Sequence, residues 1–141
     1  MNNYEKNTKP LYIGDCQVGG NSNISVQSMT KTPTSNVSKT LNQILNLHES
    51  GCDIVRCGVP DQESAIALKE IVKNSPIPVI ADIHFHYELA LQAIESGVNG
   101  LRLNPGNIRD KSKITDIVKS ANKKNIPIRI GVNFGSLPPV G

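Results

Sequence analysis

The sequence predicts an α/β protein in which parallel strands alternate with helices, and three observations carry that prediction. Short runs rich in Val and Ile alternate with segments of helical period along the chain. Within each strand-like run one parity is apolar, while the other turns polar toward the C-terminal end. A helix-to-strand segment also recurs: Glu49-Ser50-Gly51-Cys52-Asp53-Ile54-Val55-Arg56 returns 46 residues later as Glu95-Ser96-Gly97-Val98-Asn99-Gly100-Leu101-Arg102. A helix that stops at Gly and enters the next strand within a few residues is βα chemistry. It implies a parallel sheet with right-handed crossovers.

Taken in order, residues 1–20 read as a polar arm or a small strand pair around Leu11–Ile13 and Gly19-Gly20. Residues 21–141 read as the barrel portion. A first parallel strand is predicted near 24–29. Val37, Leu41, Ile44 and Leu45 then form one helical stripe that Gly51 stops. A strand over 53–57 follows, and Asp61 is placed to cap a helix carrying Ala65, Leu68, Ile71 and Val72. The next strand is predicted at 78–83, and its helix carries Leu89, Ala90, Ala93 and Ile94 before Gly97. After a strand at 99–103, Asn104-Pro105-Gly106-Asn107 reads as a tight turn, with Asn107 as a helix cap. Ile114, Ile117, Val118 and Ala121 mark the fourth helix, and a fifth strand is predicted at 127–132.

A closed barrel fits these strands better than an open sheet. Central strands of an open parallel sheet are apolar on both faces. Here Ile24, Val26, Val55, Cys57, Val79, Ala81, Ile83, Leu101, Leu103, Ile128, Ile130 and Val132 form an apolar parity. The other parity carries Ser25, Gln27, Arg56, Asp82, His84, Arg102, Asn104, Arg129 and Asn133. A lumen that becomes polar toward the strands' C-terminal ends is the TIM-barrel arrangement. No glycine-rich dinucleotide fingerprint follows the first strand. A complete (β/α)8 barrel takes about 250 residues. Five strands and four helices in 141 residues therefore make a partial TIM barrel with two open strand edges.

Composition narrows the function classes. At 38% hydrophobic and 19% charged the chain is globular in character. A net charge of +3, 4% aromatic residues and no Trp argue against nucleic acid as a partner. No apolar run approaches the roughly 20 residues of a membrane span, and residues 1–10 lack the apolar stretch of a secretory signal, so a cytoplasmic protein is expected. Cys16, Cys52 and Cys57 form no CxxC pair, and Cys57 has the parity of a buried, inert thiol.

Arg56, Arg102 and Arg129 share one parity on three strands, so a barrel brings them to one mouth. Desolvating three guanidiniums costs several kcal/mol each unless an anion meets them. Their planar forks suit phosphate or carboxylate oxygens, and a small ligand with several negative charges, such as a diphosphate, is the natural partner. Asp82 and His84 have the same parity and are candidates to orient hydroxyls or move protons; Asp82 alternatively neutralises Arg56 or Arg102. Asn104 and Asn133 also face inward, with Gly131 leaving room near the axis. His86 reads as a first-turn helix residue, and Gly19-Gly20 as a hairpin turn.

On these residues the chain closely resembles the 4-hydroxy-3-methylbut-2-en-1-yl diphosphate synthase family of the methylerythritol phosphate route to isoprenoids. The resemblance rests on Val26-Gln27-Ser28-Met29-Thr30, Asp53-Ile54-Val55-Arg56, Ala81-Asp82-Ile83-His84-Phe85, Arg102-Leu103-Asn104-Pro105-Gly106-Asn107-Ile108 and Ile128-Arg129-Ile130-Gly131-Val132-Asn133. It runs from about Leu11 to Leu137. It implies a barrel that holds 2-C-methyl-D-erythritol 2,4-cyclodiphosphate, and reductive opening of that ring with loss of water. It further implies a [4Fe–4S] cluster in a C-terminal domain, ferredoxin or flavodoxin as electron donor, and a head-to-tail homodimer. By the same resemblance Arg56, Arg102 and Arg129 grip the diphosphate. Asp82, His84, Asn104 and Asn133 line the carbon skeleton and hydroxyls, and Gln27 joins them as a weaker candidate. The cluster ligands of the family are three cysteines and a glutamate of the C-terminal domain, and Cys16, Cys52 and Cys57 match none of them. The expectation is thus the substrate-binding part of an iron–sulfur oxidoreductase, inactive by itself. The alternatives are a non-catalytic phosphate-binding half-barrel and another phospho-ligand barrel, such as a pteroate-synthase-like transferase.

Overall fold

The computed structural model describes residues 8–104, 107, 108 and 110–132. A short antiparallel pair, β1 (Leu11–Ile13) and β2 (Cys16–Val18), comes first. There follow β3 (Gln27–Met29), α1 (Val37–Glu49), β4 (Ile54–Gly58), α2 (Gln62–Asn74), β5 (Val79–Ile83), α3 (Tyr87–Glu95), β6 (Gly100–Leu103), α4 (Lys111–Lys123) and β7 (Ile128–Ile130). The last five strands form one sheet in the order β3-β4-β5-β6-β7, parallel throughout. Sequential neighbours joined by helical crossovers are the repeating unit of a (β/α) barrel.

Local chemistry explains the helix ends. The Asn36 side chain caps α1 by accepting from Lys39 N, and Asp61 caps α2 by accepting from Ser64 N. Asp110 caps α4, accepting from Ser112 N at 2.9 Å. The cap expected at Asn107 is therefore at Asp110; Asn107 instead donates its N–H to Asn104 O at 3.0 Å, within a turn. The repeated segment marks two equivalent helix exits. Gly51 and Gly97 take φ of +90° and +84°, and the next residues, Cys52 and Val98, donate back to Leu47 O and Ala93 O. Asn125, at φ +55°, does the same service for α4.

The core lies between sheet and helices. Val55, Cys57, Val79, Ala81, Ile83, Leu101 and Leu103 face it from the strands; Ile44, Leu68, Ile71, Ala90, Ile94 and Ile117 meet them from the helices. Of the helical stripes, those of α2 and α3 are covered, because each of these helices packs between two others. On α1 and α4, which each have one helical neighbour, Leu45 and Val118 of the predicted stripes are exposed.

Two strands are shorter than the sequence suggests. Residues 24–26 lie outside β3, with Ile24 96% exposed and Val26 also open. Val26 O still accepts from Asp53 N and Ile54 N, so the backbone runs beside β4 without strand geometry. At the other edge Ile130 and Val132 have the predicted outward parity but are exposed, since no helix among the described residues follows β7 to cover them. The hairpin also differs. Its turn is Gly14-Asp15, with Gly14 at φ +60°, and its second strand is Cys16–Val18. Gly19-Gly20 makes a separate turn, closed by Ser22 N donating to Gly19 O.

The hairpin closes one end of the lumen. Ile13 packs with Ile54 and Ile80 in a second apolar cluster, flanked by Cys16 and Val18. Gly100 leaves the room: a Cβ there would lie 3.3 Å from Ile80 Cγ1 and 3.6 Å from Ile13 Cγ2.

Candidate functional site: a cationic barrel mouth

Two residues beyond the apolar lumen positions, on the same parity of the same strands, stand Arg56, Asp82 and Arg102. Asp82 lies opposite Arg102 in the β5–β6 register, and Arg102 lies opposite Arg129 in the β6–β7 register. Parallel register partners share a face, so these side chains enter one space.

Asp82 is the hub. Its side chain is 2% exposed; Arg56 Nε lies 3.1 Å from Oδ2 and Arg102 Nη1 3.2 Å from Oδ1. Both neutralising partners considered for Asp82 are thus engaged at once. Arg102 donates a hydrogen bond to Oδ1, whereas the Arg56 Nε–H is not aligned on the carboxylate. That Nε is buried and has no hydrogen-bond acceptor among the described residues. Its contact with Asp82 is therefore an ion pair without an aligned hydrogen bond. Arg56 Nη2 meets Met29 Sδ at 3.5 Å.

His84 follows the end of β5 rather than lying in it, and its side chain is 46% exposed. Its Nε2 stands 3.7 Å from Asp82 Oδ2, too far for a direct hydrogen bond. Asn104 is buried just beyond β6 on the parity of Arg102. Asn133 lies outside the described residues.

Arg129 does not join Asp82. Its Nη1 donates to Gln27 Oε1 at 2.9 Å, a contact between residues 102 apart in sequence. Gln27 and Arg129 stand on β3 and β7, the two edge strands of the sheet. Only strong curling brings those edges within reach of two side chains, so this bond measures the barrel curvature directly. It also separates like charges. Arg102 and Arg129 are register neighbours, and each turns to a different oxygen. Among the described residues of the mouth, three guanidiniums stand against one carboxylate, an excess of two positive charges that suits a multiply charged anion.

The described residues do not fit a [4Fe–4S] cluster. Cys52 and Cys57 are buried in the core between sheet and helices, while Cys16 lies by the hairpin at the opposite end of the lumen. Burial pushes the Cys57 thiol above its ordinary value, against the thiolate that iron requires. No group of three His, Cys, Asp or Glu among the described residues is disposed to hold a metal. No helix among them is long and apolar enough to cross a membrane.

Fold and site together define a partial TIM barrel with a cationic mouth at the C-terminal ends of its strands. Residues 8–140 match the GcpE TIM-barrel domain, and the chain belongs to that family. It is 54% identical over 132 residues to the 4-hydroxy-3-methylbut-2-en-1-yl diphosphate synthase (flavodoxin) of Sulfurihydrogenibium sp., covering 94% of this chain and 37% of that protein. The protein of the same name from Clostridium acetobutylicum is 56% identical over 130 residues, 92% of this chain and 37% of its own length. The chain thus spans little more than a third of these relatives. Among solved structures, the dihydropteroate synthases of Yersinia pestis and Vibrio fischeri superpose with TM-scores of 0.63 and 0.62. They cover 84% and 86% of this chain, and 44% and 48% of theirs is matched. At 10% and 14% identity that likeness concerns the fold alone.

Proposed function

We propose that this chain is the substrate-holding part of an enzyme that converts 2-C-methyl-D-erythritol 2,4-cyclodiphosphate to 4-hydroxy-3-methylbut-2-enyl diphosphate. The observation that carries this reading is the convergence of Arg56 and Arg102 on one buried carboxylate, beside Arg129. The identity to synthases of that name supports it. In the reaction the carbon–oxygen bond that closes the ring to phosphate breaks. One hydroxyl leaves as water, and two electrons and two protons complete the balance.

Arg56, Arg102 and Arg129 hold the diphosphate in this reading. Asp82 orients the first two guanidiniums, and His84, at the rim, meets the substrate's hydroxyls with Asn104; Asn133 is assigned to the same task by the family resemblance alone. Gln27 positions Arg129. The electron source lies outside the described residues: a [4Fe–4S] cluster with ligands beyond this chain, and flavodoxin, or ferredoxin, as donor. The exposed Val26 and Leu45 at one open edge, and Val118, Ile130 and Val132 at the other, are faces that further barrel units would cover. Residues 1–20 then serve as arm and plug, and residues 21–141 as the barrel part of a cytoplasmic homodimer.

The test is turnover. The full-length protein carrying these residues, under anaerobic conditions with reduced flavodoxin, should consume the cyclodiphosphate and release the linear diphosphate. Arg56→Ala, Arg102→Ala and Arg129→Ala should each lower kcat/KM at least about 100-fold, the loss of a charge-assisted, bidentate contact. Near-normal turnover in all three would remove the diphosphate assignment. Binding of the cyclodiphosphate without any turnover in the full-length protein would favour a non-catalytic barrel.

A further inference from the structure

We propose that Gly131 is a positioning residue for the diphosphate site, required because the Arg102 guanidinium occupies the space of its missing side chain; this rests on the proposed anion-binding role of Arg102. A Cβ on residue 131 would lie 2.8 Å from Arg102 Nη2 and 2.9 Å from Cζ, and closer still to Nε. Real carbon contacts do not approach so near.

Backbone conformation does not explain the glycine. Gly131 is absent from the positive-φ glycines, which include Gly14, Gly51 and Gly97, so an L residue could adopt its backbone. The requirement is one of space. Nor can the backbone of residue 131 retreat freely: its N–H donates to Leu103 O at 2.8 Å, continuing the β6–β7 ladder past Ile130. What must yield is the far end of Arg102. That guanidinium is held between two partners, with Nη1 on Asp82 Oδ1 and the Nε–Cζ–Nη2 side against Gly131. A methyl at 131 therefore pushes Arg102 off Asp82 and turns its fork away from the anion. The fold yields little, because the displaced atoms belong to a flexible side-chain end. The β6 and β7 strands then act as a template: one supplies the arginine, and the next supplies the gap that fixes its plane.

The double-mutant cycle Gly131→Ala with Arg102→Ala, made in the full-length protein carrying these residues, tests this. The cyclodiphosphate is titrated by calorimetry and the urea midpoint is recorded for each variant. Gly131→Ala should weaken binding about 10-fold to 100-fold, the loss of one well-aligned charged contact, with a midpoint close to that of the parent. In the Arg102→Ala background the same change should cost little further, since the three atoms nearest the added carbon are gone. The Arg102 Nε–Hε resonance, observed by nitrogen NMR, should shift in Gly131→Ala without ligand. Full, additive losses in the cycle, or an unchanged affinity in Gly131→Ala, overturn the proposal. If Gly131→Ala unfolds the protein, Gly131→Ser combined with Arg102→Ala decides: restored folding in the double variant supports the clash, and continued unfolding overturns it. Failure of the parent to bind the cyclodiphosphate is a different result, and overturns the diphosphate reading itself.

Discussion

The two ends of the lumen are built by the same parity of the same strands, yet they do opposite things. At one end Ile54, Ile80 and Gly100 meet Ile13 of the hairpin in an apolar cluster. Two residues further along each strand, Arg56, Asp82 and Arg102 build a charged mouth. A step of two keeps the side chain in the lumen and moves it up by one layer. The apolar layer gains by excluding water. The polar layer holds two guanidiniums in place through one carboxylate and keeps a net positive charge. The chemistry changes along the barrel axis, from an apolar layer to a cationic one.

Variants in the two layers should therefore separate stability from affinity. Asp82→Ala is expected to have the largest effect on stability. It leaves two guanidiniums facing each other without a counter-ion, a loss of about 3 kcal/mol, at the low end because Arg56 is 28% exposed. Urea unfolding measures it, and bound diphosphate should restore part of the loss. Ile80→Ala comes next, at about 2 kcal/mol for a buried cavity, with diphosphate affinity unchanged because the lesion lies one layer below the mouth. A large affinity loss in Ile80→Ala would show that the layers are not independent.

Ser96→Ala should cost about 1 kcal/mol. It removes a buried hydroxyl that donates to Ala65 O at 3.0 Å and ties α3 to α2, behind both layers alike. The smallest effect is expected in acid. Donors from Ser64 hold the Asp61 carboxyl below its ordinary value of 3.8, and donors from Ser112 hold Asp110 below it too. A lowered folded-state pKa means stability that is fully present above pH 3.8 and lost as pH falls through the folded value. Asp61→Asn should flatten that part of the stability–pH curve without changing diphosphate affinity at pH 7.

Much of this division was legible in the sequence. Strand parity put Arg56, Asp82, Arg102 and Arg129 on one face, and the recurrence of Glu-Ser-Gly before two strands located the helix exits. Parity could not show that Asp82 takes both arginines, because that depends on strand register and on side-chain reach. Nor could it pair Gln27 with Arg129, since a contact across 102 residues follows from how far the sheet curls. Ile24, Val26, Leu45, Val118, Ile130 and Val132 lie on the apolar parity or the helical stripes, yet they are exposed, because covering depends on neighbours, which a local pattern does not contain. The space at Gly131 leaves only a faint trace: a glycine in a strand-like run where no turn calls for one.

Under the proposed function the mouth is an anion site made by three arginines. Phosphorus NMR of the cyclodiphosphate, titrated with the full-length protein and with a variant carrying Arg56→Gln, Arg102→Gln and Arg129→Gln, tests it most directly. A saturable shift and broadening of both phosphorus resonances is expected with the parent protein, weakened by added salt, and none with the folded triple variant. Equal shifts with both proteins would contradict it.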